Sequence, residues 1–204
     1  MVQTLRFTRG NLPHWLVADR PYFVTLRLHG TLPKQVVAEM KAERDRLEQS
    51  DCRDPETWSA MRKRQFLRME DILHKMDLNR SWLTDERVAP IILQSLKWLR
   101  ETAGWTIYAA VLMSNHLHAV LRNMSGRNGD LLSDLERFKR FTGREANGIL
   151  GRAGAFWARE DFDHWCRTPD KTEAAIHYVM NNPVNSGLCT KPEQWPWLLV
   201  ETSP

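Results

Sequence analysis

The sequence predicts an α+β domain: a small antiparallel sheet with helices packed on one face, plus a helical hairpin inserted at about residues 34–76. Three observations carry this. Segments rich in β-formers at Tyr22–Leu28, Trp105–Met113 and His116–Arg122 end at turn residues. Long helical stretches with start and stop signals lie between and after them. The second and third strands are separated only by Ser114-Asn115, which reads as a hairpin rather than a crossover.

The first strand, "YFVTLRL", is closed by His29-Gly30. Two charged helices follow, Lys34–Glu48 and about Glu56–Met76, the second introduced by Asp54-Pro55, a capping residue with proline at the first helical position. They read as a scaffold whose charges form a solvated face. Arg87–Ala103 is a third helix, with Ile91, Ile92, Leu96 and Leu99 as its apolar stripe and Gly104 as its end. Pro90 either starts it or kinks it. Asn123–Gly129 reads as a loop and Asp130–Leu150 as a long helix, followed by a glycine-bearing link at residues 151–154. The last helix is expected from Pro169, behind the cap Thr168, to Asn181, because the residue before Pro183 is pushed out of helical geometry. The arrangement is ferredoxin-like in outline, and residues 1–204 read as one domain.

The formal charge of +4 favours an anionic partner, nucleic acid first and a membrane surface second. No segment approaches the roughly 18 apolar residues of a spanning helix, and the first twelve residues lack a signal-like core, so a cytoplasmic protein is expected. Cys52, Cys166 and Cys189 are too few and scattered for a disulfide framework or a paired zinc knuckle.

Chemistry concentrates in two places. In "VLMSNHLHAV" the side chains of His116 and His118 project from one face of a strand, so both imidazoles could reach one ion. The same spacing also suits a structural pair, and two ligands do not complete a metal site. In "AAIHYVMNNPVNSG", Tyr178 and Asn182 are four apart on one helix face. On its own, Tyr178 could equally be a core aromatic and Asn182 a helix-ending residue before proline.

The ordered set "YFVTLRLHGTLP", "MSNHLHAV", "FKRFTGREAN", "GRAGAFWAREDFD", "HYVMNNPVNSGL" and "PEQWPW" resembles the HUH single-tyrosine transposases, most closely the REP-associated tyrosine transposases, over about Pro21–Trp197. The resemblance implies a metal-dependent single-stranded DNA endonuclease and strand transferase that cleaves near hairpins. Tyr178 would be the nucleophile, and His116, His118 and Asn182 would hold Mg2+ or Mn2+. A nucleoid-associated bacterial protein acting as a monomer or homodimer would follow. The rival is a domesticated relative that binds hairpin DNA without cutting. The sequence departs from the family at Ser114, where proline is common, and at His164, where arginine is common and could make a phosphate contact.

For DNA binding, Arg137, Arg140 and Arg144 share one sector of the fourth helix, opposite Leu131, Leu135, Phe138 and Ile149. Lys139 projects toward the apolar side, either snorkelling outward or pointing its charge at the catalytic centre. Of nine tryptophans most read as core, with Trp195 and Trp197 clamping the C-terminal tail. Trp165 is the one expected near the site, where it could stack on a base.

Overall fold

The computed structural model describes residues 4–9, 13–17, 19–50, 54–75, 81–123 and 130–200. Strands β1 (Thr4–Arg9) and β2 (Pro13–Val17) form a separate two-stranded antiparallel ribbon. The main sheet contains β3 (Tyr22–Arg27), β4 (Trp105–Leu112), β5 (His116–Asn123), β6 (Phe162–Trp165) and β7 (Leu198–Val200). Its spatial order is β6-β3-β5-β4-β7, and every pairing is antiparallel. The expected α+β class and the central hairpin are both present.

Among the described residues, five α-helices accompany the sheet: α1 (Lys34–Gln49), α2 (Pro55–Lys75), α3 (Ala89–Ala103), α4 (Leu131–Ile149) and α5 (Pro169–Asn185). The start signals read from the sequence operate locally. Asp54 accepts the backbone N–H of Thr57 at 2.9 Å, satisfying a donor that has no partner within α2. Pro90 lies in the first turn of α3, where its missing N–H costs nothing, and Gly104 ends that helix at φ 75°. Asp130 caps α4. The loop expected at Asn123–Gly129 lies largely outside the described residues, as does Cys52.

One helix runs longer than expected. α5 continues through Pro183 to Asn185 rather than stopping at Asn181. Closure of its C-terminus outweighs the local bias before proline. Gly187 takes φ 71°, its N–H reaches the carbonyl of Val184 at 2.9 Å, and the Leu188 N–H reaches that of Pro183 at 2.9 Å. These two bonds satisfy carbonyls that would otherwise be left open.

Side-chain parity divides the sheet into two faces. Tyr22, Val24, Leu26, Leu117, Ala119 and Leu121 face the larger core, built with Ile92, Leu96 and Leu99 of α3 and Leu135 and Phe138 of α4. This is the helical layer expected on one face. The opposite face is also covered, by α5 and part of α2, through Phe23, Val111, Val120, Phe66 and Val179. In β4 a bulge at Tyr108 shifts the register between Ile107 and Ala109, so Trp105 and Ile107 face the larger core before it and Ala110 and Leu112 after it.

Phe138 is 1% exposed and lies 6.3 Å, centroid to centroid, from Trp157. Phe138→Ala should cost about 3–5 kcal/mol through lost burial and an unfilled cavity. For a chain of this size that lowers Tm by about 6–20 °C in a thermal melt.

Candidate active site and metal centre

The smaller core closes over the histidines. His116 and His118 are 1% and 0% exposed, standing on β5 beside Arg27 and Thr25 of β3. The rings lie 4.6 Å apart, centroid to centroid. Their outer nitrogens face a carboxylate from α2. Among the described residues, Glu70, His116 and His118 each offer a ligand atom, all within 4.8 Å of one another.

Neighbours orient these groups. Asn115 donates its amide to the carbonyl of Leu73 at 2.9 Å, so its oxygen faces His116 Nδ1 as an acceptor at 2.6 Å. Nδ1 must then carry the proton, and Nε2 presents a bare lone pair. Burial, then the neighbouring His118, pushes the His116 pKa well below its ordinary value, so the ring is neutral at pH 7. His118 places Nδ1 2.9 Å from the Thr25 hydroxyl and Nε2 3.1 Å from Glu70 Oε2.

Burial would raise the Glu70 pKa, but His118, His116 and the hydrogen bonds from His118 and Tyr178 outweigh it and bring it down to about 2. The carboxylate is therefore ionised. Among the described residues, two buried acceptors here have no hydrogen-bond donor: Glu70 Oε1 and His116 Nε2. Adjacent acceptors of this kind are costly to bury unless a cation satisfies them. The donor set of two imidazoles and a carboxylate suits a divalent transition metal.

Tyr178 reaches this cluster from α5. Its hydroxyl donates to Glu70 Oε2, and its ring lies 5.5 Å from His118. Burial raises the phenol pKa, as do the charge and hydrogen bond of Glu70, while the neighbouring Asn182 amide acts in the opposite direction. Asn182 is 0% exposed, one turn along, with Oδ1 3.4 Å from His74 Nε2. His74 in turn stands one turn beyond Glu70, its Nε2 3.9 Å from Glu70 Oε2.

The structure thus brings His116, His118, Tyr178 and Asn182 together, and adds Glu70, Asn115, Thr25 and His74 around them. Glu70 corrects the reading of the inserted hairpin as a solvated scaffold. α2 presents Met61, Met69 and Leu73 to the interior, and Glu70, four residues before His74, lies beside that stripe. The Glu-x-x-x-His spacing was the available signal.

The residues assigned to DNA binding separate. Arg137 turns toward α3, its guanidinium 4.9 Å from the Trp98 ring centroid and 3.8 Å from Asp134. Arg140 and Arg144 line a cleft between α4 and segment 154–159. Lys139 does not direct its charge at the catalytic centre: Nζ pairs with Asp161 at 2.7 Å and donates to the carbonyls of Ala158 and Arg159. Segment 158–161 crosses α4 there and neutralises it. His164 lies opposite Phe23 on β6, and burial, then Arg62 and Arg167, lowers its pKa to about 4. It is neutral at pH 7 and cannot supply the cationic phosphate contact of an arginine. Trp165 stands opposite Tyr22 and packs on the larger core, the face away from the histidines. Its parity on the edge strand puts it there. Trp195 does tie down the C-terminal segment, donating Nε1–H to the carbonyl of Leu112 at 2.9 Å.

Asn115→Ala should weaken divalent-metal binding about 10- to 100-fold, because His116 loses the partner that fixes its tautomer and orientation. Calorimetric titration with Mn2+ measures this.

No family model matches this chain, and no curated protein matches it. Among solved structures, it is similar to one described as a REP-associated tyrosine transposase bound to a REP hairpin. The TM-score is 0.58 at 14% identity, covering 93% of this chain and 82% of that one. The two share a fold.

Proposed function

We propose that this chain is a metal-dependent single-stranded DNA endonuclease and strand transferase of the HUH single-tyrosine type, cleaving beside DNA hairpins through a covalent 5′-phosphotyrosine. The carrying observation is the convergence of the Tyr178 hydroxyl on Glu70, within a cluster that also contains His116 and His118. The shared fold with a hairpin-bound tyrosine transposase supports the substrate class. Among the described residues no helix is long and apolar enough to cross a membrane.

Glu70, His116 and His118 would hold the ion, with Asn182, whose Oδ1 lies 3.4 Å from His74 Nε2, as the further oxygen ligand that the family resemblance implies. Of magnesium and manganese, two imidazoles favour manganese. Bound there, a divalent cation would polarise the scissile phosphate and stabilise charge developing on its oxygens.

The chain's own residues manage the nucleophile. The depressed carboxyl of Glu70 and the raised phenol of Tyr178 keep the proton on Tyr178 at rest, and the hydrogen bond aims it at Glu70. In attack, the Tyr178 oxygen bonds to phosphorus and the bond from phosphorus to the 3′ oxygen breaks. One proton passes overall from Tyr178 to the departing 3′ oxygen, and Glu70 is the group already bonded to it. Asn182, one turn along α5, favours the charge that builds on the phenol oxygen. The phosphotyrosine ester retains the phosphodiester bond energy, so a 3′-hydroxyl can reverse the step and join strands.

The test is a labelled single-stranded oligonucleotide with a hairpin, incubated with protein and Mn2+ and resolved on a denaturing gel. A slow-migrating covalent species that protease digestion removes supports the proposal. Binding without adduct or nick would identify a non-cutting hairpin-binding protein instead.

A further inference from the structure

The inserted hairpin brings a second polar residue to the site beside Glu70. None of the motifs that resemble the transposases falls between residues 34 and 112, so that resemblance assigns α2 no part in the chemistry. Glu70 and His74 stand four residues apart on one helix and share a face. That face meets β5: Glu70 reaches His118, and the His74 ring lies 5.8 Å, centroid to centroid, from that of His116. Asn115 fixes this end of the helix, because its amide takes the carbonyl of Leu73, one of the last four of α2 and so without a partner inside it. Burial of Met69 and Leu73 with Leu32 seats the same turn.

The contacts of His74 have the spacing of shared ligands. Its Nε2 lies 3.4 Å from Asn182 Oδ1 and 3.9 Å from Glu70 Oε2, and both of these are oxygen acceptors. Both distances exceed the usual N–H···O range of about 2.7–3.2 Å. Two atoms each about 2.0–2.2 Å from one ion, by contrast, stand about 3–4 Å apart. The position also fits. The side chains of His118 and Glu70 are 0% and 6% exposed and Asn182 is fully buried, whereas the His74 side chain is 30% exposed. It therefore supplies a nitrogen on the side of the site that faces solvent, next to the bare atoms Glu70 Oε1 and His116 Nε2. Among the described residues the buried Asn182 Nδ2 also lacks a partner, so its carboxamide is held here through the oxygen that faces His74.

We propose that His74 is a further ligand of the ion, so that a Glu-x-x-x-His pair from α2 faces the His-x-His pair from β5. The inference rests on the metal centre of the reading above and does not depend on strand cleavage. A third imidazole changes which ion the site prefers. Magnesium takes oxygen ligands and gives up its water reluctantly, whereas nitrogen donors gain strength from manganese through cobalt to zinc. The site should therefore hold Co2+ more tightly than Mn2+, and either more tightly than Mg2+. Ligands from α2 and β5 on one ion also tie the inserted hairpin to the central sheet.

The test uses the full-length protein with Mn2+ alone or Co2+ alone and no DNA. Pulsed electron paramagnetic resonance of the bound Mn2+ counts the coupled imidazole nitrogens. Three are expected, falling to two in His74→Gln, which keeps an amide donor for Asn182 but brings no imidazole. By calorimetry, His74→Ala should weaken Co2+ binding about 10- to 100-fold or more, since even supporting residues around a metal cost that much, and should weaken Mg2+ binding far less. The side chain stands at the rim, so metal-free melts of both variants should stay within about 2 °C of the unsubstituted protein. Two nitrogens in the unsubstituted protein, a count that needs no variant, would overturn the inference and leave His74 as a partner that orients Asn182. A count unchanged by His74→Gln would overturn it equally. His116→Ala separates this inference from the reading beneath it. Mn2+ affinity lost in His116→Ala but intact in His74→Ala would remove only the role of His74, whereas affinity intact in both would refute the metal centre itself.

Discussion

Tyr178→Phe is expected to reduce covalent attachment to hairpin DNA by more than about 10⁴-fold, to below detection on a denaturing gel, while the protein still folds and binds. The size follows from the kind of step removed. Deleting a nucleophile eliminates the covalent route itself rather than trimming its barrier. The fold should tolerate the change because the ring contributes most of the packing at this position. Its centroid lies 5.8 Å from Phe23, 5.8 Å from Phe66 and 5.5 Å from His118, and phenylalanine keeps all three contacts. Glu70 loses one donor and retains His118. Tyr22 offers no substitute, since it is 2% exposed in the core on the other face of the sheet. Tyr108 packs against the same smaller core as Tyr178. An adduct surviving in Tyr178→Phe and lost in Tyr108→Phe would transfer the role to that residue.

The site was partly legible in the sequence, and its gaps have physical causes. The histidine pair could be read because strand parity is strict: on β5 only alternate residues reach the face that α5 covers. Tyr178 and Asn182 could be paired because helix periodicity places them together. Glu70 was hidden because α2 is rich in charge, and a charged residue on such a helix ordinarily meets solvent. What singles it out is tertiary, the meeting of α2 with the β4–β5 turn, where Asn115 grips Leu73. The arginines of α4 share a sector on a helical wheel, yet their partners differ: Arg137 lies over the Trp98 ring of α3, whereas Arg140 and Arg144 line a cleft with segment 154–159. Edge strands β6 and β7, of four and three residues, are too short to carry a periodic signal of their own. Their pairing with β3 and β4 makes them strands.

Glu70→Gln is expected to weaken Mn2+ binding at least about 100-fold, exceeding the 10- to 100-fold loss typical when only a supporting residue around a metal is removed. Glutamine keeps the shape and one acceptor oxygen for Tyr178 and His118, and removes the negative charge that two neutral imidazoles cannot supply. Thermal melts give the readout without reference to cleavage. With Mn2+ at about 100 times its Kd, the unsubstituted protein should gain about 2.7 kcal/mol, or about 5–11 °C in Tm for a chain of this length. At the same concentration Glu70→Gln should gain almost nothing over its own metal-free melt, and His116→Ala should behave the same way. The variant that separates the two candidate third ligands is Asn182→Ala. If Glu70 is the principal ligand, Asn182→Ala retains most of the Mn2+-dependent shift. An unchanged shift in Glu70→Gln together with its loss in Asn182→Ala would place the ion on the α5 side of the histidines, and the carboxylate would then serve only to hold the phenol of Tyr178.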